Sequence, residues 1–130
     1  TFPVIADLKM EVAKKYGMLQ PSASDTKAVR AVFFIDPNSK IRALIYYPLS
    51  NGRNFQEIKR LLIAMQTADA NKVATPADWQ PGDDVIIPPP GSCGVAKERT
   101  EKKDKDVKCF DWFFCLKKLP IEMAPPAMKK

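Results

Sequence analysis

Histidine is absent from this chain of 130 residues. Its absence excludes, within the chain, catalysis by Ser-His-Asp or Cys-His groups and every zinc site with a histidine ligand, because each needs an imidazole. The three cysteines, Cys93, Cys109 and Cys115, are too few and wrongly spaced for a four-thiolate metal site. We therefore expect neither a metal nor any other cofactor.

Long apolar runs are also lacking. No stretch of about 18 apolar residues occurs, which predicts that nothing spans a membrane. No charged leader followed by an apolar segment comes first, so we expect no secretory signal and, with an odd number of cysteines, reduced thiols in the cytoplasm. Because the chain starts at Thr1 within a strand-like run, we also expect an N-terminal part of the protein to precede it.

Charge of one sign does not dominate strongly. The net charge of +6 comes from 21 basic and 15 acidic residues, which predicts a mildly cationic surface that attracts anions in general. The densest charged stretch, residues 97–108, is typical of a solvated helix or loop. A small nucleic-acid-binding protein is an alternative that rests on net charge alone.

The N-terminal residues predict a buried strand followed by a helix. Residues 2–6 are mostly apolar, and Asp7 stands where a helix N-cap belongs. Gly17 is a helix stop signal. Between them, apolar side chains recur at helical spacing: Leu8, Val12 and Tyr16.

A hairpin and a second helix are predicted next. Residues 28–36 and 40–47 form two strand-like runs, and Pro37 between them suits the first central position of a type I turn. A helix of about four turns should begin near residue 55. Its apolar stripe is Phe55, Ile58, Leu62 and Met65.

Proline dominates the remainder of the chain. Eight of the 12 prolines lie between Pro76 and Pro126, which favours extended segments and turns, with one short strand at Asp84–Ile87. Such a segment has little core of its own, so we expect it to pack on another body such as a second subunit. Four aromatic residues supply the apolar area for that docking: Phe110, Trp112, Phe113 and Phe114.

Several segments carry a family resemblance. They are FPVIAD from Phe2, GML from Gly17, VRAVFFIDPNSKIR from Val29, YYP with NGRNF, and VATPADWQPGDDVIIPPP from Val73. In this order they resemble the one-cysteine branch of the peroxiredoxins, from Phe2 to about Pro90. The segment CFDWFFC from Cys109 resembles a C-terminal arm of many archaeal and bacterial members.

The resemblance implies an α/β fold. Residues 1–70 would form the C-terminal half of a thioredoxin-like domain, in the order strand, helix, hairpin, helix. Residues 71–130 would form a proline-rich C-terminal extension that acts as a dimerisation arm. An N-terminal peroxiredoxin segment would supply the other half of the domain.

The implied function is thiol-dependent reduction of hydrogen peroxide and alkyl hydroperoxides in antioxidant defence. The partners would be the hydroperoxide, a thioredoxin-like or small thiol reductant, and a second subunit or a larger ring. The family nucleophile lies in a Pro-x-x-x-Thr-x-x-Cys motif with a histidine upstream, and neither feature occurs here. We therefore expect this chain alone to be inactive; the alternative is a non-catalytic oligomerisation or scaffold fragment.

Two arginines are candidate catalytic residues. Arg30 lies within an apolar run, where a guanidinium is costly unless it is paired. By position it matches the family's active-site arginine, and Arg53 matches a second arginine near the pocket; both would stabilise the thiolate and the peroxide. The alternatives are a solvent-reaching Arg30 and a surface Arg53. We expect Arg42 to face solvent.

The cysteines pose a geometric question. With a separation of six residues, Cys109 and Cys115 are about 20 Å apart if extended and about 9 Å apart on a helix, so a direct bond needs a tight loop that the aromatic run disfavours. We expect each to meet a distant thiol. The resemblance makes Cys115 the resolving thiol, which attacks the oxidised cysteine of a neighbouring subunit, with Cys109 as second participant. The alternative is two thiols in an apolar docking arm, and Cys93 is expected to be an incidental thiol.

Overall fold

A computed structural model describes residues 2–19, 22, 28–92 and 106–119. The helices and strands are, in chain order, α1 (Glu11–Lys15), β1 (Arg30–Ile35), β2 (Ile41–Tyr47), α2 (Phe55–Asn71), β3 (Val85–Ile87), β4 (Val107–Asp111) and β5 (Phe114–Lys117). The chain divides into two compact units, Thr1–Asn54 and Phe55–Lys130. In the described ranges, no helix has the length and apolar character needed to cross a bilayer. The mixed α/β class is as predicted.

The predicted strand at residues 2–6 is wrong. These residues have no regular structure, and the side chain of Phe2 is 83% exposed. A strand needs a neighbour to satisfy its backbone N–H and C=O groups. None of the described strands pairs with these residues, so their apolar pattern alone does not produce a strand.

The N-cap residue of α1 is Met10, so the predicted N-cap at Asp7 is wrong and the helix is shorter than expected, but Asp7 still binds its first turn. Its carboxylate accepts hydrogen bonds from the backbone N–H groups of Val12 (3.1 Å) and Ala13 (2.7 Å). These bonds, chiefly the one from Ala13, lower the pKa of Asp7. The helix buries Ala13 and leaves Leu8 exposed, so the predicted stripe through Leu8 is wrong.

Gly17 ends α1, as predicted. It adopts φ +64°, a left-handed conformation that glycine reaches without steric cost. The Gly17 N–H donates to Lys14 O (3.0 Å) and the Met18 N–H donates to Ala13 O (2.8 Å). This pair of bonds is a Schellman motif and satisfies the last carbonyl groups of the helix.

The predicted hairpin is confirmed. Strands β1 and β2 pair antiparallel, with Arg30 opposite Tyr47. The turn closes through a bond from Ser39 N–H to Asp36 O (2.9 Å). The Asp36 carboxylate accepts further bonds from the N–H groups of Asn38 and Lys40 (both 2.9 Å), which fixes the reversal of the chain.

Aromatic contacts hold the end of α1 to one face of this hairpin. The Phe33 ring contacts Tyr16 and Tyr46 edge-on, with centroid distances of 4.9 and 5.9 Å. The Tyr46 hydroxyl donates to Tyr16 O (3.3 Å). The adjacent residue Phe34, whose side chain points to the opposite face, is buried.

Helix α2 occupies the predicted position but buries a different face. The described core of its unit consists of Ile63, Ala64, Val73, Trp79 and Val85, against which Leu119 packs. The predicted stripe is wrong, because Phe55 is 74% exposed and Leu62 is also exposed. The reason is the position of the partners: Val73, Trp79 and Val85 pack on the side of Ile63 and Ala64.

The segment after α2 contributes more to the core than the sequence predicts. It supplies much of this core, so the idea that it has little core of its own is wrong for residues 73–85. Ala74 and Ile86 exchange two backbone hydrogen bonds (2.9 and 2.8 Å). The chain at residue 86 therefore lies antiparallel to the chain at residue 74. The predicted short strand is confirmed as β3. Most of the charged stretch 97–108 lies outside the described residues.

Arg60 connects α2 to this segment. Its Nε and Nη2 donate to the two carboxylate oxygens of Glu57 (2.6 and 2.8 Å), and its Nη1 donates to Trp79 O (3.2 Å). The hydrogen bond to Arg60 lowers the pKa of Glu57, and the same bond raises the pKa of Arg60. The contact thus favours the charged form of both side chains.

We expect the substitution Arg60→Met to lower the free energy of unfolding at neutral pH by about 1 kcal/mol, since the lost bonds are charge-assisted but partly exposed. The folded-state pKa of Glu57 is depressed, so its contribution is present above the unfolded-state pKa and is lost as the pH falls through the folded-state value. Urea denaturation at neutral pH and near pH 3 should therefore show a smaller difference between the two proteins in acid. If the two proteins differ more in their free energy of unfolding near pH 3 than at neutral pH, this interpretation is wrong.

Candidate functional site

Arg30 begins β1 and is half-buried. Its Nη1 donates a hydrogen bond to Asn51 O at 2.8 Å. The register explains this contact: Arg30 lies opposite Tyr47, the last residue of β2, so it is adjacent to the loop that follows that strand. A guanidinium carries several N–H donors, and one such bond leaves others for an anion.

Arg53 lies in the loop that Arg30 contacts. The loop turns through a bond from Asn51 N–H to Pro48 O (3.0 Å), and Arg53 is exposed two residues later. The structure therefore places Arg30 and the loop that carries Arg53 at the same end of the hairpin. A guanidinium at this end can attract an anionic ligand or a group that becomes anionic during a reaction.

Arg42 lies at the other end of the hairpin, near the turn. It is exposed, as predicted, and its Nη1 is 3.9 Å from a carboxylate oxygen of Asp36. The contact is long and solvent-screened, so it contributes little to stability. Arg42 is for this reason a suitable control for the two candidate arginines.

Cys109 and Cys115 form a disulfide, so the expectation of separate, distant partners is wrong. The two residues are directly opposite each other in β4 and β5, with Cα atoms 4.0 Å apart. Trp112 and Phe113 form the tight turn between the strands. The Trp112 N–H donates to the Asp111 carboxylate (2.7 Å), which supports this turn.

The two sulfur-bearing residues differ in burial. Strand β5 is the central strand of its sheet, between β3 and β4, and Cys115 is 0% exposed. Strand β4 is at the edge of that sheet, and Cys109 is exposed. Cys93 lies outside the described residues.

The aromatic residues around this hairpin are largely exposed, as the docking prediction requires. Phe110, Trp112 and Phe113 each have about half of their surface accessible. Phe110 stacks on Phe114 with centroids 5.4 Å apart, and Lys108 Nζ lies 4.9 Å from the Phe110 centroid. What they dock against remains a prediction.

Sequence reasoning missed two features of these sites. The bond from Arg30 to Asn51 has no sequence signal, because it depends on a backbone carbonyl group. The disulfide also lacks a sequence signal, because Trp112-Phe113 is not one of the glycine-containing pairs that mark a two-residue hairpin turn. Within the ranges that the structure describes, no group of three or more His, Cys, Asp or Glu side chains is placed to hold a metal ion.

Comparisons with protein families give two matches. The C-terminal domain of 1-Cys peroxiredoxin matches residues 64–103, and the AhpC/TSA family matches residues 1–44. A peroxiredoxin of Methanosarcina mazei is 66% identical over 117 residues, which are 90% of this chain and 53% of that protein. A peroxiredoxin of Archaeoglobus fulgidus is 53% identical over 123 residues, or 91% and 57% of the two chains. The chain thus spans about half the length of the curated relatives it matches.

Solved structures agree with these matches. A cysteine-to-serine mutant of the Peroxiredoxin 6 of Arenicola marina is 36% identical with a TM-score of 0.72, over 89% of this chain and 55% of that one. The yeast mitochondrial 1-Cys peroxiredoxin is 36% identical with a TM-score of 0.68, over 85% and 53% of the two chains. These neighbours have the thioredoxin-like fold that the sequence predicts.

Proposed function

The chain belongs to the peroxiredoxin family, in its one-cysteine branch, and from this we propose that the intact protein is a thiol peroxidase. Its substrates would be hydrogen peroxide and alkyl hydroperoxides, and its role antioxidant defence. The observation that carries the proposal is the position of Arg30. This half-buried cation is held by Asn51 O at the end of a hairpin, beside the loop that contains Arg53.

The chemistry that these residues suit is displacement at a peroxide oxygen. A thiolate attacks the nearer oxygen, the O–O bond breaks, and the electron pair leaves on the farther oxygen as hydroxide or alkoxide, which takes up a proton. The sulfur becomes a sulfenic acid. Arg30 and Arg53 would stabilise the attacking thiolate and the charge that develops on the leaving oxygen.

We propose that the thiolate comes from an N-terminal peroxiredoxin segment. No cysteine of this chain lies in the Pro-x-x-x-Thr-x-x-Cys motif. Cys115 would be the resolving thiol, which condenses with the sulfenic acid and releases water. Cys109 would then displace the catalytic sulfur and form the disulfide with Cys115. Because Cys115 is fully buried in the disulfide form, it must become exposed before it can react.

An external thiol would return the protein to its reduced form. The yeast mitochondrial relative is resolved via glutathione/thioredoxin systems. A thioredoxin-like protein or a small thiol is accordingly the proposed reductant here. We further propose a cytoplasmic homodimer, or a larger ring, with residues 1–70 in the thioredoxin-like domain and residues 71–130 in the dimerisation arm.

A non-catalytic oligomerisation or scaffold fragment is the second candidate. The exposed side chains of Phe110, Trp112 and Phe113 favour it, since exposed aromatic clusters are typical of protein contacts. The scaffold candidate predicts stable oligomers that consume no peroxide, even when an N-terminal peroxiredoxin segment is joined to the chain.

A chimera separates the two candidates. We expect this chain alone to consume no peroxide with dithiothreitol as the reductant. When the N-terminal half of the Methanosarcina mazei relative is joined before Thr1, we expect turnover well above the rate with free thiol. The matched control is the same chimera with the cysteine of its Pro-x-x-x-Thr-x-x-Cys motif replaced by serine. An inactive but folded chimera favours the scaffold candidate.

A further inference from the structure

We infer that an external dithiol opens the Cys109–Cys115 disulfide by attack at Cys109 alone, so that Cys109 is the entry point for electrons and Cys115 is the leaving sulfur. The inference deepens the proposed function, because it names the atom at which the reductant of the peroxidase acts. The observation behind it is the unequal burial of the two half-cystines within one sheet.

Cys115 is closed to an approaching thiol, because no part of it is exposed. Strand β5 has β3 on one side, where Ile87 is the direct partner of Cys115, and β4 on the other, where Cys109 is its partner. Cys115 is fully inaccessible, as is Val85 in the neighbouring strand β3. Thiol–disulfide exchange requires the attacking sulfur to reach the sulfur that it bonds, so access decides which one reacts.

Cys109 is in the opposite situation. It lies in β4, which in the described part of the chain has β5 as its one neighbour, and it is exposed. The exposed residue of the pair is thus Cys109, and a thiolate in solution meets this residue before it meets Cys115.

The exchange has two steps. In the first, a thiolate of the reductant bonds to Cys109 Sγ, the Cys109–Cys115 bond breaks, and its electron pair stays on Cys115 Sγ, which takes up a proton. In the second, the other thiolate of the reductant attacks its own sulfur in the mixed disulfide and releases Cys109 as a thiolate. The reductant loses two electrons and becomes a disulfide, and both cysteines of the pair are reduced.

The surroundings of Cys115 affect the step after the exchange, in which Cys115 is a neutral thiol, and not the choice of the attacked sulfur. Its Sγ lies 3.5 Å from Asp111 O, so the new S–H group can donate to that carbonyl. Burial disfavours the charged form of a thiol. The protonated Cys115 is a poor nucleophile toward the mixed disulfide, which gives the second thiol of the reductant time to complete the reaction at Cys109.

A trapping experiment with reduced glutathione tests this inference. The whole chain with the substitution Cys93→Ser is oxidised, exposed briefly to substoichiometric glutathione, quenched with acid and alkylated. Trypsin should release the peptide from Cys109 to Lys117, which contains both cysteines. We expect the glutathione adduct on Cys109 and the alkyl group on Cys115 in an excess of at least about tenfold, because access selects the sulfur.

The same reaction in guanidinium chloride is the matched control. Without the sheet both sulfurs are accessible, so the two adducts should form in comparable amounts. Equal adducts on the folded chain, an excess on Cys115, or failure of the oxidised chain to form this disulfide each overturns the inference. None of these results depends on peroxide turnover, so failure here is distinct from failure of the proposed peroxidase.

Discussion

Replacing Trp79 by alanine should lower the free energy of unfolding by about 3–5 kcal/mol, the range for truncation of a buried large aromatic residue. Trp79 is 2% exposed and packs with Ile63, Ala64, Val73 and Val85. The substitution leaves a cavity between α2 and the segment that follows it. It also removes the bond that the indole N–H donates to Asp83 O (3.2 Å).

Trp112 provides a control of the same residue type. It is 50% exposed at the tip of the β4–β5 hairpin, so Trp112→Ala should change the stability by only about 0.5 kcal/mol. Chemical denaturation followed by far-ultraviolet circular dichroism suits both variants, because each removes one of the two tryptophans. Similar losses for the two variants show that the core does not lie where the structure places it.

The second large effect concerns catalysis. In the chimera with the Methanosarcina mazei N-terminal half, Arg30→Ala should lower kcat/KM for hydrogen peroxide by about 10²–10³-fold, the cost of removing one oxyanion donor. In the proposed mechanism, the charge on the thiolate and on the leaving oxygen then loses one of the two cations assigned to stabilise it. The loop that carries Arg53 also loses its bond to Arg30, so both candidate arginines are affected.

Two variants make the kinetic result specific. Arg30→Lys retains the charge but loses the planar set of donors, so its kcat/KM should lie between those of the original chimera and Arg30→Ala. Arg42→Ala removes a cation of the same strand pair at the far end and should leave kcat/KM unchanged within about twofold. If Arg42→Ala and Arg30→Ala have equal effects, net charge rather than position is responsible.

The hairpin was predictable because its determinants are local. Pro37 and Asp36 specify the turn, and the flanking runs are strand-like, so no distant residue is needed to choose the pairing. Arg30 was selected differently, through its match to the family's active-site arginine together with its place in an apolar run, and its catalytic role stays a prediction. Asp7 and Gly17 mark the two ends of α1 through bonds within a few residues of each other.

The predictions that failed depend on distant partners. Residues 2–6 have the composition of a strand but no described neighbour to pair with. The buried face of α2 is selected by Val73, Trp79 and Val85, and hydrophobic spacing within the helix does not reveal where they pack. The disulfide was missed because the aromatic run was taken to disfavour a tight loop between Cys109 and Cys115, whereas the chain reverses at Trp112.

The central claim is that the Arg30 guanidinium lies beside a thiolate. It is tested most directly by the pH dependence of alkylation of the catalytic cysteine in the chimera, with Cys93, Cys109 and Cys115 replaced by serine so that no thiol of this chain contributes. An opposite charge within a few ångströms lowers a pKa by about 1–3 units, so Arg30→Ala should raise the pKa of that thiol by this amount, and Arg30→Lys by less. The same thiol pKa with and without Arg30 contradicts the claim.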